Sequence, residues 1–164
     1  AVLGKQTVIN YVGYMMDSYM LFTLQNYAAK LVEKETSPKY YFMDTGLLGL
    51  MLMDCSSAQL ENLVAIELIR RYGRENVFYF EKNVEIDFYV PEEKLAIQVS
   101  LQVLDQIDTR EREIGAFVKL KNFIGDATCL LITNSEEEEL DYEGVHVSVV
   151  PVWKWLLQNR KQDI

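Results

Sequence analysis

The sequence predicts an α/β protein built on one mixed sheet flanked by helices. Three observations carry that expectation. Residues 84–100 alternate as two strands joined by a short acidic turn, residues 58–72 form a capped amphipathic helix before them, and a helix and a fully apolar strand follow. A strand meander followed by a helical crossover gives a sheet with antiparallel and parallel parts.

Taken in order, residues 7–16 place Val8, Ile9, Tyr11, Val12 and Met15 at helical spacing, with Thr7 as the expected N-cap. Residues 19–24 and 39–43 read as strands, joined by a looser segment containing Glu33, Lys34, Glu35 and Pro38. Asp44, Thr45 and Gly46 open a short Met-rich helix over 47–53, expected to serve as core because Met fills irregular gaps. In the helix at 58–72, Ser56 and Gln59 make a capping box, Gly73 supplies the stop, and Leu60, Leu63, Val64 and Leu68 form the apolar stripe. Glu67 can pair with Arg71 four residues on, whereas Glu61 lies at the border of that stripe.

Residues 77–80 give a first short strand and the 84–100 hairpin follows. Asp105 to Asp108 leads into a helix over about 109–123, capped by Asp108 and Glu111, with Ile114, Phe117, Val118 and Lys121 toward the sheet. Residues 128–133 are a continuous apolar strand of the fully buried kind. Residues 134–141, with four glutamates in a row, read as a solvated loop. A strand at 145–150 then leads into a helix from Pro151 to about Asn159, docked by Trp153, Leu156 and Leu157.

The hairpin is the most informative stretch. Val84, Ile86, Phe88 and Val90 alternate with Glu85, Asp87 and Tyr89, and Leu95, Ile97 and Val99 alternate with Ala96, Gln98 and Ser100. A turn centred on Glu92 and Glu93 pairs Val90 with Leu95, which sets Asp87 opposite Gln98 and Glu85 opposite Ser100. An acid and an amide thus stand side by side in mid-sheet, where plain packing favours Val or Thr.

Composition bounds the function. The chain has 164 residues, 49% of them hydrophobic, enough for one core with room for a subdomain. Its formal net charge of −9 disfavours non-specific nucleic-acid binding, which rests on neutralised phosphates. Cys55 and Cys129 lack partner spacing, which points to a reducing cytoplasm. The longest nearly uncharged run, 45–53, is too short to span a bilayer, so no membrane partner is expected. P-loop, dinucleotide-binding, nucleophile-elbow and zinc-protease motifs are absent. His146, the single histidine, makes neither a zinc site nor a triad by itself.

A helix bearing Glu61, a strand bearing Asp87 and a following strand with Gln98-Val99-Ser100 resemble the PD-(D/E)XK nuclease superfamily. The resemblance implies a restriction-endonuclease-like fold. It also implies a Mg²⁺ or Mn²⁺ site at Glu61, Asp87 and Gln98, with a lysine to polarise the attacking water. Here an amide replaces one acid and Ser100 replaces the lysine. Lys119 and Lys121 are candidates for a lysine displaced onto the following helix. The plain alternative is a satisfied polar cluster of Glu61, Asp87 and Gln98, with Arg112 reaching in.

The segments KYYFMDTGLLGLML, LENLVAIELIRRYG, EIDFYV and IQVSLQV, followed by DTRERE, also resemble the uncharacterised domain that closes many prokaryotic AAA+-type ATPases. That resemblance implies residues 1–43 as the end of a winged-helix segment and 44–164 as the nuclease-like domain. It further implies a partner ATPase module, with ATP bound only there. The chain opens at Ala1 without the Walker motifs, as expected for a piece of a larger protein. The function expected is an accessory module for an unknown protein partner or for regulation, with a metal-dependent nuclease as the alternative. A winged-helix DNA binder is a third reading, weaker because only a fragment of that unit is present; a basic stripe on the first helix would revive it, and Lys5 alone does not make one. Arg70, Arg71 and Arg74 with Arg110 and Arg112 are a candidate anion patch, set against an ordinary salt-bridged surface.

Overall fold

In a computed structural model, residues 4–28, 38–51, 56–104 and 107–158 are described. The expected readings at Glu33, Lys34, Glu35, Cys55, Asp105 and Asn159 lie outside them. The elements in chain order are α1 (Lys5–Asp17), β1 (Leu21–Asn26), β2 (Lys39–Phe42), α2 (Thr45–Met51), α3 (Ser56–Tyr72), β3 (Phe78–Glu81), β4 (Glu85–Val90), β5 (Leu95–Val99), α4 (Ile107–Ile124), β6 (Thr128–Thr133), β7 (Glu138–Tyr142), β8 (Val145–Pro151) and α5 (Val152–Leu157).

The strands form one eight-stranded mixed sheet in the order β2-β1-β3-β4-β5-β6-β8-β7. The expected meander is present, since β3, β4 and β5 pair antiparallel. The expected crossover is present too: β6 runs parallel to β5 after α4. β1 enters the sheet parallel to β3 through two residue pairs, Gln25 with Phe78 and Asn26 with Tyr79, and carries β2 on its outer side.

Two buried clusters cover the two faces. Val64, Ala65 and Leu68 of α3 pack with Phe22, Tyr79, Phe88, Ile97, Ile132 and Trp155. Ile114, Phe117 and Leu120 of α4 pack with Phe80, Ile86, Tyr89, Leu131 and Val147 on the opposite face. The arrangement is therefore three layers, helix on sheet on helix.

Several expectations are corrected. The cap of α1 is Gly4 rather than Thr7, because the helix begins three residues earlier, at Lys5. α3 likewise begins at Ser56, inside the stretch read as its cap. Gly73 does end the helix region: it sits at φ 81°, a left-handed conformation that costs glycine little, and its N–H bonds to Ile69 O at 3.0 Å. In α2, Leu48 is buried but Leu50 is exposed, so only part of that helix serves as core.

The segment read as a solvated loop contains an edge strand, β7, which pairs antiparallel with β8. Leu140 is its one buried residue, and its glutamates line the free edge, where charge discourages further pairing. The β7–β8 turn places Glu143 and Gly144 at φ 48° and 76°, as a two-residue type I′ hairpin requires.

In α4, Lys121 points outward and pairs with Asp126, while Leu120 takes the core position. In α5, Trp155 does the docking at 4% exposure; Trp153 and Leu157 are exposed. Pro151 closes β8 and caps α5 instead of starting it.

The largest correction is in the hairpin. Val90 pairs with Leu95 as expected, and Pro91 to Lys94 form the reversal. But the β3–β4 register shifts between Phe78 and Phe80, an extra residue in β4. Ile86 therefore lies in the α4-side cluster and Phe88 in the α3-side cluster, although simple alternation puts both on one face. Asp87 stands at the switch.

Candidate functional site

A cavity of about 490 Å³ opens where β4 and β5 separate, lined by Lys39, Glu61, Glu85, Asp87, Gln98 and Glu113 among others. The three residues expected to cluster are thus brought together, from α3, β4 and β5. Arg112 and Lys119 of α4 also line it, whereas Lys121 lines a different one.

The separation of the strands is built by side chains. The β4–β5 ladder ends at Phe88 with Ile97. Beyond it, the Asp87 N–H donates to Gln98 Oε1 at 2.8 Å and Gln98 Nε2 donates to Glu85 O at 3.2 Å. The Val99 N–H in turn donates to Asp87 Oδ2 at 2.9 Å. Gln98 is buried, so each of these bonds replaces one that water cannot make. Both ends of the amide are engaged by backbone.

Asp87 carries the site's electrostatics. Burial pushes its carboxyl up to about 7, and the negative charges of Glu61 and, to a smaller degree, Glu113 push the same way. The Lys39 ammonium and the Val99 N–H act in the opposite direction. Glu113 itself is buried and bonded by Arg112 at 2.6 Å, so Arg112 reaches the cavity by way of that partner.

Lys39 is the residue that sequence reasoning missed. Its Nζ lies 2.5 Å from Glu85 Oε1 and 3.9 Å from Asp87 Oδ1, and 5.3 Å from the centre of the Tyr79 ring. Burial works against this ammonium, yet its bond to Glu85 and the charges of Asp87 and Glu61 raise its pKa above the ordinary lysine value. Two residues on along β2, the Tyr41 hydroxyl donates to Glu61 Oε1 at 2.8 Å. Burial and the Glu61 charge raise the Tyr41 pKa well above the usual phenol value.

The ribbon is held in place by Asn62, which was also missed. Its Oδ1 accepts from the Phe42 N–H at 2.7 Å, and its Nδ2 donates to Phe42 O at 3.0 Å. Helical periodicity could not have found it: Asn62 lies far around the helix from Leu60 and Val64, off the stripe read from the sequence, and is buried by β2 instead.

The candidate anion patch is largely occupied. Arg70 and Arg71 both bond Glu67, and their hydrogen bonds hold that carboxyl below the usual carboxylate range despite partial burial. Arg71 also donates to Trp155 O and lies 4.1 Å from its ring centre. Arg74 donates to Thr23. Cys129 is a buried free thiol, pushed up to about 11 by burial, and His146 is exposed between Asp141 and Glu139. Among the described residues no helix is long and apolar enough to cross a membrane.

Residues 2–58 match a family described as Domain of unknown function (DUF8612). The chain is also similar to the Uncharacterized protein MJ1544 of Methanocaldococcus jannaschii, 32% identical over 165 residues. That match covers 94% of this chain and 37% of the relative, so the chain spans a little over a third of the length of the curated relative it matches. No solved structure matches the chain.

Proposed function

We propose that this chain is a nuclease-fold module without catalytic activity, acting in partner recognition or regulation beside an AAA+-type ATPase module. The observation that carries the reading is the engagement of Gln98. Its oxygen accepts from Asp87 N–H and its nitrogen donates to Glu85 O, so the group standing in for a metal-binding acid is part of the sheet's framework. A carboxylate accepts only, and cannot make the second bond. The acids around it have partners as well: Glu61 has Tyr41, Glu85 has Lys39 and Glu113 has Arg112. The accessory placement rests on the family resemblance and accords with a relative much longer than the matched region.

A metal-dependent nuclease is the second reading. It is favoured by one observation, the Lys39 ammonium 3.9 Å from Asp87, where a water-polarising lysine is required. In that reading Glu61 and Asp87 hold Mg²⁺ or Mn²⁺ through oxygen, and Gln98 contributes less than an acid would.

Calorimetry with Mn²⁺, using Asp87→Ala as control, separates the two. The first reading expects no saturable binding up to about 10 mM metal and no cleavage of DNA or RNA. Saturable binding abolished by Asp87→Ala, together with cleavage, transfers the assignment to the nuclease.

A further inference from the structure

We infer that a pocket between β1 and the approach to β3 binds a small zwitterion with an apolar side group, of which a free apolar α-amino acid is the simplest form. The pocket shares no residue with the β4–β5 cavity, so the inference goes beyond the proposed function and does not depend on it.

The pocket exists because two parallel strands splay. β1 meets β3 only from Gln25 with Phe78 onward. Ahead of that pair, Arg74 opens a single turn of 3₁₀ helix, Arg74–Asn76, and reaches across the gap. Its Nε donates to Thr23 O at 3.2 Å and its Nη2 to Thr23 Oγ1 at 2.7 Å. The space that remains is about 290 Å³, lined by Thr23, Gln25, Arg74, Glu75, Val77 and Phe78. That is the small end of the range for ligand pockets, suited to one amino acid and not to a larger molecule.

Three polar groups in the wall have binding capacity to spare. Gln25 Oε1 is buried without a hydrogen-bond partner, which costs the fold stability. The neighbouring carboxamides are used by the sheet: Asn26 and Gln98 each bond backbone at both ends. Arg74 spends only part of its five-donor fork on Thr23. Among the described residues Arg70, Arg71 and Arg112 pair with acids, whereas neither Arg74 nor Glu75 has an ion-pair partner. The Glu75 carboxylate folds back over Gly73, with Oε1 2.6 Å from where a Cβ on that residue would stand.

These groups select by charge. A plain anion suits Arg74 but meets Glu75, and a plain cation suits Glu75 but meets Arg74. A zwitterion satisfies both, with its carboxylate on the guanidinium and its ammonium on the Glu75 carboxylate. The terminal torsion of glutamine is broad and roughly two-fold, so the Gln25 carboxamide can turn its oxygen to accept from the same ammonium. Val77 and Phe78 supply the apolar wall for the side group.

The test follows ¹H–¹⁵N shifts of the full chain on titration with L-leucine or L-phenylalanine to about 20 mM. The expected result is saturable shifts confined to residues 23–25 and 74–78, including the Gln25 side-chain amide. N-acetyl-L-leucine, which lacks the ammonium, and L-leucinamide, which lacks the carboxylate, are expected to bind at least about tenfold more weakly. Arg74→Met abolishes binding of leucine. Should that variant fail to fold, Glu75→Gln decides, because Glu75 is exposed and holds no partner in place. It is expected to weaken leucine at least about tenfold while N-acetyl-L-leucine binds no worse than to the wild type. Absence of saturable shifts with both amino acids overturns the inference. So does equal binding of leucine and its N-acetyl derivative by the wild type, or binding of leucine that Glu75→Gln leaves unchanged.

Discussion

Gln98 does with its side chain what a peptide group does elsewhere in the sheet, donating to one strand atom and accepting from another. Asn26 and Asn62 do the same. Asn26 donates to Glu81 O and accepts from Glu81 N–H beyond the β1–β3 pairs, and Asn62 clasps Phe42. All three are buried, and each sits where backbone pairing runs out. A carboxamide alone among side chains offers a donor and an acceptor side by side in peptide-like geometry. Gln98→Ala leaves the Asp87 N–H and Glu85 C=O without these partners, so urea unfolding is expected to show a loss of about 2–3 kcal/mol. Asp87 gives the second prediction. Its folded-state carboxyl lies near 7 against an ordinary 3.8, so between those values the native state holds a proton that the unfolded chain has released. Stability linked to this group is complete below about pH 4 and is lost as pH rises toward 7. Asp87→Asn, which still accepts from Val99 N–H, is expected to be more stable than wild type by about 1–3 kcal/mol at pH 7.5 and no more stable at pH 4. Unfolding both proteins at the two pH values checks it.

Among the elements, α5 shows how little of a short helix needs to be apolar to be held. Six residues long, it buries Trp155 against the α3-side cluster, and Arg71 fixes it from outside by stacking on the ring and donating to Trp155 O. The Arg71 side chain is 7% exposed and its charge is matched by Glu67, so removing it strands a partly buried acid as well as the helix. Arg71→Ala is expected to destabilise by about 1–3 kcal/mol and to speed amide exchange in α5 before the rest of the sheet. β4 was the element least faithfully read. Alternation is a two-residue rule, and one extra residue inverts every position beyond it, so Ile86 and Phe88 part company. β7 escaped detection for the opposite reason. An edge strand buries so little that Leu140 among acids looks like a loop.

At the scale of the whole fold, the eight strands among the described residues carry helices on both faces, and the cavity forms where side chains take over from the β4–β5 ladder. A net charge of −9 surrounds a cleft whose lining is itself rich in acids, an arrangement suited to cations or basic partners more than to phosphate backbones. The α/β class, the meander, the crossover helix and the nearness of Asp87 to Gln98 were legible in the linear chain, whereas Glu61 joined them only through the family resemblance. Helix periodicity, the Gly73 stop and a tight turn each depend on residues a few positions apart, and such neighbours are what a sequence displays. Lys39 was not legible at the site, because it stands 46 residues from Glu85 and meets it only after β1 and β2 have joined the sheet beside β3. The bulge in β4, the occupied arginines and the amide clamps likewise follow from which strand lies beside which. Burial and long-range pairing select those contacts, and neither is a property of any short stretch.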